Sequence, residues 1–378
     1  MILTAEQEMI RDTIRAFAQE QLWPNAARWE REKTFPREAL QALGALGALG
    51  MTVPAKWGGA GLDYVSLVLA LEEIAAGHGA TSTIVSVQNS LACGIPLAYG
   101  TDEQKRRYLT KFASGAWIGC FCLTEPHTGS DASALRTTAR REGDAYILNG
   151  TKQFITSGKH GQAALVFAVT DAAAGKRGIS CFLVPTDAPG YIVSRVEDKM
   201  GQHASDTAQI ILENCRVPAD NLIGSEGEGY KIALANLESG RIGIAAQCVG
   251  MARSALEEAV RYANDRKAFG VPIVQHQAVS FRLADMATRL EAARQLVWHA
   301  ASLKDAGRPC LKEASMAKLF ASEAAESICS DAIQIHGGVG YTADFAVERI
   351  YRDVRVCQIY EGASDIQRLV IGRAVAGG

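Results

Sequence analysis

The spacing of hydrophobic residues changes twice along this 378-residue chain, and these changes constrain the fold more than any single motif. Residues 1 to about 115 have helical spacing, interrupted by prolines and glycines. From about 117 to 224, short β-rich runs separated by turn signals replace it. Helical spacing then returns and continues to the end. Hydrophobic residues line one face of a helix when they repeat every 3.6 residues, and one face of a strand when they repeat every 2. The changes of period therefore predict three separate structural units.

We therefore expect an α+β multidomain protein with boundaries at these changes. The predicted units are an N-terminal α-helical domain (1–116), a middle β-barrel or sandwich domain (117–226) and a C-terminal helical bundle (227–378). In the last unit, helical segments are predicted near 228–265, 275–306 and 311–335, followed by two shorter ones.

Two local signals qualify this picture. Tyr146–Leu148 is followed by Asn149-Gly150, a pair typical of a hairpin turn, so we expect a strand that ends there. Gly338–Ala343 matches the dinucleotide-binding pattern G-x-G-x-x-A, but it follows a predicted helix where that motif requires a strand. We interpret the match as fortuitous. The chain has no H-E-x-x-H, P-loop or G-x-S-x-G motif, so no metal site is predicted.

Composition limits the possible partners and compartments. Apolar residues make up 48% of the chain and the formal net charge is −2, which argues against a nucleic-acid or anionic-membrane partner. Nine cysteines without a repeating spacing predict reduced, mostly buried thiols. The N-terminus lacks a signal-peptide pattern and no apolar run is long enough to cross a bilayer. We therefore expect a cytoplasmic protein.

Glu361 is the strongest candidate for a catalytic residue. It stands between Tyr360 and Gly362 in an otherwise apolar stretch. Burial would raise its pKa toward neutrality, and the glycine leaves nearby backbone accessible to a ligand carbonyl. This combination suits proton abstraction beside a carbonyl. An isolated Glu-Gly pair is also common where a glutamate ends a helix, so the pair alone leaves both interpretations open.

Four further polar clusters occur in a fixed order with Glu361. They are Leu123–Asp131, Lys152–Gly158, Arg266–Gly270 and Gln334–Gly338. Their order and placement resemble the acyl-CoA dehydrogenase family over essentially the full length. Ser239–Ala245 and Ala284–Ala287 are most similar to its short-chain members, straight or branched. The resemblance implies a helical domain, a β-domain and a C-terminal four-helix bundle.

The resemblance implies FAD as cofactor and a specific reaction. In the family, a glutamate matching Glu361 removes the α-proton of an acyl-CoA while the β-hydrogen leaves as hydride to flavin N5. The thioester carbonyl is expected to accept hydrogen bonds from the Glu361 N–H and a flavin ribityl hydroxyl. Some relatives carry the base at the position of Gly240, which has no side chain here.

Cofactor contacts are also implied by the resemblance. Thr124 and Thr156 match threonines near the flavin pyrimidine edge and N5, and Phe154 replaces a common tryptophan. Arg266 matches a pyrophosphate contact supplied by a neighbouring subunit, and Ala363 replaces a common threonine. The implied set is Phe121, Leu123, Thr124, Gly129, Ser130, Phe154, Ile155, Thr156, Arg266, Phe269, Gln277, Gln334, Gly337, Gly338, Ala363 and Asp365.

The implied function is dehydrogenation of a short-chain (C4–C5, straight or branched) acyl-CoA to its trans-2-enoyl-CoA, in fatty acid or branched-chain amino acid catabolism. A homotetramer (dimer of dimers) and an electron-transfer flavoprotein as acceptor are implied as well. The implied substrate contacts are Ser130, Leu237, Glu238, Arg241, Tyr360, Gly362 and Arg373.

Three alternatives remain open at this point. Phe154 is compatible with an oxidase on the same fold, in which oxygen is the acceptor. The motifs also allow a secondary-metabolism enzyme acting on an unusual thioester, including one on a carrier protein. A catalytically silent acyl-CoA or flavin binding protein is a third possibility, against which the presence of Glu361 argues.

Overall fold

The computed structural model describes residues 1–377 and contains, in chain order, a helical region, an eight-stranded mixed sheet and a second helical region. This arrangement confirms the predicted α+β architecture.

The first region consists of helices that follow one another closely, some of them joined by single π-helical turns. Thr4 begins the first helix with a reciprocal cap, in which its hydroxyl accepts from the Gln7 N–H at 3.2 Å and its own N–H donates to the Gln7 side chain at 3.0 Å. The helices are α1 (Ala5–Phe17), α2 (Trp23–Glu32), α3 (Arg37–Ala45), α4 (Tyr64–Gly77), α5 (Gly79–Val87), α6 (Gly94–Tyr99), α7 (Asp102–Gln104) and α8 (Thr110–Ala113).

The middle region is one mixed sheet in the order β6-β7-β3-β2-β4-β5-β8, with β1 parallel to β4. The ring centroids of Tyr146 on β3 and Phe182 on β5 are 4.9 Å apart, although β2 and β4 lie between these two strands in the sheet. The sheet therefore curls around its own core. The strands are β1 (Gly119–Cys122), β2 (Thr138–Glu142), β3 (Ala145–Thr156), β4 (Ala163–Val169), β5 (Ile179–Pro185), β6 (Tyr191–Val196), β7 (Thr207–Pro218) and β8 (Leu222–Ile223).

The predicted turn at Asn149-Gly150 is wrong. Both residues lie inside β3, which continues along β7 with a register shift between Leu148 and Gly150. The Asn149 side chain accepts from the Asn214 N–H of β7 at 2.8 Å. A Cβ at Gly150 would be 2.5 Å from the Thr137 hydroxyl, so glycine permits a close approach of neighbouring backbone.

The last region contains α9 (Gly229–Asp265), α10 (Gln277–Asp305), α11 (Leu311–His336), α12 (Ala346–Val354) and α13 (Ser364–Ala376), and a small hairpin of β9 (Lys267–Ala268) and β10 (Val271–Pro272) separates α9 from α10. The three long helices pack on one another, and α12 and α13 pack on α11. These bounds agree with the predicted segments to within two residues. The G-x-G-x-x-A match does follow a helix, because α11 ends at His336.

The two helical regions share one hydrophobic core, which includes Leu71 and Ile74 of α4 and Ile244 and Val249 of α9. A Cβ at Gly250 would collide with the carbonyl of Glu72, so the small residues of α9 let α4 approach closely. All nine cysteines are unpaired and buried, as predicted. Within residues 1–377, no helix is long and apolar enough to cross a membrane.

Candidate active site

The backbone at Glu361 has an unusual conformation. Its φ is +53°, and Gly362 follows with φ +88°. A left-handed conformation costs a non-glycine residue about 1–3 kcal/mol, so surrounding contacts must impose it. The buried Gln367 amide donates to the carbonyls of Glu361 (3.2 Å) and Gly362 (2.8 Å). Lys318 on α11 also donates to the Gly362 carbonyl, at 2.7 Å.

Part of the Glu361 side chain is withdrawn from water, although the residue as a whole is half-buried. Its Oε2 atom is buried and accepts no hydrogen bond from any residue in 1–377. Burial raises the pKa of Glu361 to about 7, while the cationic Arg241 and Lys318 oppose that rise. A carboxylate with this pKa is basic enough to accept a proton near neutral pH.

Gly240 on α9 provides the space for this carboxylate. A Cβ at position 240 would be 2.6 Å from Oε2 of Glu361 and 2.9 Å from its Cδ. The carboxylate therefore packs against the α9 backbone, at a point where any side chain would displace it.

The next residue upstream is anchored in a buried polar network. The Tyr360 hydroxyl donates to Gln247 Oε1 at 2.6 Å and lies 3.4 Å from the Thr83 hydroxyl. Gln247 also donates to Thr83 and to the Gly79 carbonyl. No role was predicted for Thr83 or Gln247 from the sequence. The one feature of the sequence that could have pointed to them is that both are polar residues within largely apolar helical segments.

Of the predicted substrate residues of α9, Arg241 lies close enough to Glu361 for their charges to interact. Arg241 is 6% exposed, and its Nε is buried without a hydrogen-bond partner in residues 1–377. Burial lowers the pKa of Arg241, while the charges of Glu361 and Glu238 oppose the change. Glu238 itself accepts from Lys304 at 2.8 Å, so its charge is already paired. Leu237 is half-buried.

A second group of predicted residues meets at the end of β3. The Gln153 N–H donates to the Thr124 carbonyl at 2.8 Å, which places Thr124 beside the segment containing Phe154 and Thr156. Phe154 has φ +59° and is 62% exposed, so its ring is available to a planar ligand.

A buried ion pair joins these two segments. Lys152 donates to Glu125 at 2.7 Å and to the Leu123 carbonyl at 3.2 Å, and both charged side chains are buried. Glu125 also accepts from the N–H groups of Arg136 and Thr137. Neither Lys152 nor Glu125 was assigned a role from sequence, although both lie within the quoted motifs.

Four other predicted cofactor residues differ in their accessibility. Phe121 packs edge-on against Phe167 at 5.0 Å, and Ile155 is 1% exposed within the sheet core. Both side chains therefore pack within the fold. Gly129 and Ser130 are exposed in the loop after Thr128.

The third group lies at one end of the helical bundle. Arg266, Phe269 and Gln277 are exposed around the β9–β10 hairpin. Tyr262 near the end of α9 stacks on His336 at the end of α11, with ring centroids 4.4 Å apart. The remaining members, Gln334, Gly337 and Gly338, are exposed there, and a Cβ at either glycine would meet no heavy atom within 4 Å. We call this set the Arg266 group, and the set of Thr124, Phe154 and Thr156 the Thr124 group. No hydrogen bond within residues 1–377 joins the two groups.

The α13 residues complete the predicted set. Ala363 is the N-cap of α13 and offers no side-chain hydrogen bond to the free N–H groups there. Asp365 in the first turn is exposed and lies 3.4 Å from Arg368. Arg373 is exposed near the end of the helix.

Comparison with known proteins identifies the family. Models of the acyl-CoA dehydrogenase N-terminal, middle and C-terminal domains match residues 4–116, 120–215 and 227–376. The human mitochondrial short-chain specific acyl-CoA dehydrogenase is 51% identical over 369 residues, which are 98% of this chain and 90% of that protein. The chain belongs to the acyl-CoA dehydrogenase family.

Comparison with solved structures leads to the same family. Butyryl-CoA dehydrogenase from Megasphaera elsdenii has a TM-score of 0.98 at 38% identity, covering 100% of this chain and 99% of the other. A chain in the structure of the electron transferring flavoprotein of Acidaminococcus fermentans has a TM-score of 0.98 at 46% identity, with 99% of both chains covered. The protein is therefore an FAD-dependent oxidoreductase that acts on a CH–CH bond of an acyl-CoA.

The residues present fit FAD. Phe154 has an exposed ring, lies two residues before Thr156, and follows Gln153, whose N–H donates to the Thr124 carbonyl. This arrangement suits a flavin ring. The open backbone at Gly337 and Gly338 and the exposed Arg266 suit the adenosine and diphosphate end. These two sets lie in different regions of one chain.

Proposed function

We propose that this protein catalyses α,β-dehydrogenation of a short-chain (C4–C5, straight or branched) acyl-CoA to the trans-2-enoyl-CoA, with Glu361 as the catalytic base. The observation that carries the proposal is the Glu361 carboxylate, which is buried against Gly240 with Oε2 unpartnered and a pKa raised to about 7. A group in this state can take a proton from a substrate carbon at neutral pH.

The chain's own groups account for the proton-transfer half of the reaction. Glu361 accepts the proton from the α-carbon, and the positive charges of Arg241 and Lys318 favour its ionised form. The Glu361 N–H donates to the thioester carbonyl, which stabilises the negative charge that develops on that oxygen. When bound, FAD accepts the β-hydrogen with its electron pair.

The chain length of the acyl group is inferred from relatives. The most similar curated proteins include short-chain specific enzymes, and butyryl-CoA dehydrogenase has nearly the same fold. At the CoA end, the guanidinium groups of Arg241 and Arg373 suit phosphates and Ser130 suits the pantetheine. Glu238 is also proposed to contact the CoA moiety. The proposed contacts at the acyl and thioester end are Tyr360, Gly362 and Leu237.

The cofactor site is proposed to be completed between subunits. The Thr124 group would hold the flavin ring and the Arg266 group would hold the pyrophosphate and adenosine of a neighbouring subunit's FAD. No hydrogen bond within residues 1–377 joins the two groups, which is consistent with this division. A homotetramer, built as a dimer of dimers, is proposed as the assembly that brings the subunits together. The proposed domain limits, 1–116, 117–226 and 227–378, are supported by the three family matches.

An electron-transfer flavoprotein is the proposed electron acceptor, which is consistent with the relative found in such a structure. One observation favours a second candidate. The exposed Phe154 covers less of a flavin than tryptophan would, which is compatible with direct oxidation by oxygen.

The test is an anaerobic titration of the purified yellow protein with butyryl-CoA, isobutyryl-CoA, 2-methylbutyryl-CoA and octanoyl-CoA, followed by absorbance of the flavin band. Bleaching by a four- or five-carbon thioester, with little or none by octanoyl-CoA, is expected. Peroxide release at the turnover rate in air would favour the oxidase. A flavin that none of the four bleaches would contradict the proposed substrate class.

A further inference from the structure

Lys318 is an unusual residue for the middle of a packed helix. Its side chain is fully buried in α11, between α9 and the segment that carries Glu361. A buried ammonium is costly unless it has a partner. Its Nζ donates to the Gly362 carbonyl at 2.7 Å, and no carboxylate in residues 1–377 is within ion-pair distance. Packing alone would be served as well by methionine.

The carbonyl that Lys318 binds belongs to the left-handed pair Glu361-Gly362. Gln367 donates to the same carbonyl and to that of Glu361. A Cβ at Gly362 would be 2.7 Å from the Gln367 amide, so the two donors and the glycine fit closely. Together they fix the direction of the Glu361 N–H and of its side chain.

We propose that Lys318 is a positioning residue for the catalytic base: its ammonium group fixes the Glu361-Gly362 backbone through the Gly362 carbonyl and supplies a positive charge that favours the ionised form of Glu361. This inference rests on the proposed function, because it gives Lys318 its role through Glu361. The first effect sets the rate when Glu361 is fully ionised. The second effect sets the pH at which ionisation occurs.

The charged and titratable groups around this site come from three elements. Arg241 and Cys248 face it from α9, Lys318 from α11, and Cys357 and Tyr360 from the segment before Glu361. Burial lowers the pKa of Lys318, and Cys248, Cys357 and Glu361 oppose that change. Burial raises the pKa of the Cys248 thiol and of Tyr360, so both stay neutral near pH 7. Burial raises the pKa of Cys357, but hydrogen bonds with Cys248 and Tyr360 and the charge of Lys318 outweigh it, so the pKa of this thiol is lowered. The cations that act on Glu361 are Arg241 and Lys318.

The test compares Lys318→Met, which has a similar length but no charge, with Lys312→Met as control. Lys312 is on the same helix, half-exposed, and paired with Glu313. The holoenzymes are mixed anaerobically with the thioester that bleaches wild type, and the rate of flavin reduction is measured across pH. Without Lys318, the acid limb of the profile should move up by about one pH unit. The limiting rate at high pH should fall about tenfold.

A second readout needs no turnover. Infrared titration of the resting protein, with the Glu361→Gln spectrum subtracted, follows protonation of the Glu361 carboxyl. This midpoint should rise in Lys318→Met and stay unchanged in Lys312→Met. A merely structural role for Lys318 would lower stability without moving either midpoint.

The outcomes separate the two proposals. If wild type is bleached and Lys318→Met retains both the wild-type profile and the wild-type infrared midpoint, the role of Lys318 is overturned and the proposed function stands. If no thioester bleaches wild type, the proposed function fails, while the infrared comparison still tests the charge effect. Lys318→Gln replaces Lys318→Met if the latter does not fold. Failure of both to fold would assign Lys318 to core stability and overturn the proposal.

Discussion

Gly240 of α9 and Glu361 near the C-terminus are in van der Waals contact, with no room for a Cβ between the helix backbone and the carboxylate. The hypothetical Cβ would be 2.6 Å from Oε2. The absence of a side chain at one residue therefore determines where the acidic group of the other can lie, although 120 positions separate them.

Gly240→Ala tests this relationship. The added methyl group should push the carboxylate away from its position without changing the residues proposed to hold the flavin ring, Thr124, Phe154 and Thr156. We expect normal FAD content and a rate of flavin reduction at least about tenfold lower, because small displacements of a base are costly. Gly372→Ala on α13 is the control, since a Cβ there meets no heavy atom within 4 Å. A wild-type rate in Gly240→Ala would show that the carboxylate need not occupy this position.

Glu361→Gln should stabilise the protein at alkaline pH. The folded pKa of Glu361 is about 7, above the ordinary value of 4.5, so folding favours the protonated form. The resulting penalty is absent below about pH 4.5, grows as pH rises, and is complete above the folded pKa. The free energy of unfolding of Glu361→Gln should exceed that of wild type by about 1–3 kcal/mol at pH 8 and by little at pH 5.

Denaturant unfolding of the holoenzymes at the two pH values measures this difference. Glu6→Gln, which changes an exposed carboxylate on α1, should show no such pH dependence. An equal difference for Glu361→Gln at both pH values would mean that the carboxylate is not held in a desolvated state.

Arg266→Ala should weaken retention of FAD. The exposed guanidinium at the end of α9 is proposed to bind the cofactor diphosphate, and its loss should raise the dissociation constant about tenfold or more. FAD remaining after dilution and filtration measures the effect. Arg261→Ala, also on α9 and exposed but paired with Glu258, is the matched control. Equal occupancy in both variants would remove Arg266 from the cofactor site.

Ala363→Thr should strengthen the start of α13. Ala363 has extended N-cap geometry (φ −55°, ψ 158°) but no side-chain acceptor. A threonine hydroxyl can accept from the free N–H groups of the first turn, which stabilises a helix by about 1 kcal/mol. Thermal unfolding of the holoenzyme should show a higher midpoint. A lower midpoint would indicate that the hydroxyl cannot be accommodated beside Glu361-Gly362.

The order of helical and β segments could be predicted because hydrophobic period is a local property, and the limits of α9, α10 and α11 followed from it. The turn at Asn149-Gly150 was mispredicted because a cross-strand hydrogen bond to Asn214 and the close approach of Thr137 compete with the local signal. Neither partner is visible in a short window of sequence.

The raised pKa of Glu361 could be predicted from sequence, and the geometry around it could not. The burial of Glu361, with its pKa raised to about 7, agrees with the sequence argument. Its left-handed backbone and the Lys318 contact depend on packing between α9, α11 and the C-terminal segment. The buried ion pair between Lys152 and Glu125 was missed because lysine and glutamate are usually exposed, and nothing in the local sequence shows that these two are paired.

The most direct test of the central claim is a single-turnover measurement of flavin reduction in Glu361→Gln against wild type, with the acyl-CoA that bleaches wild type most rapidly. The substitution keeps size and packing and removes the base. We predict unchanged FAD content and no detectable reduction by that thioester. Reduction at the wild-type rate would contradict the assignment of Glu361 as the base.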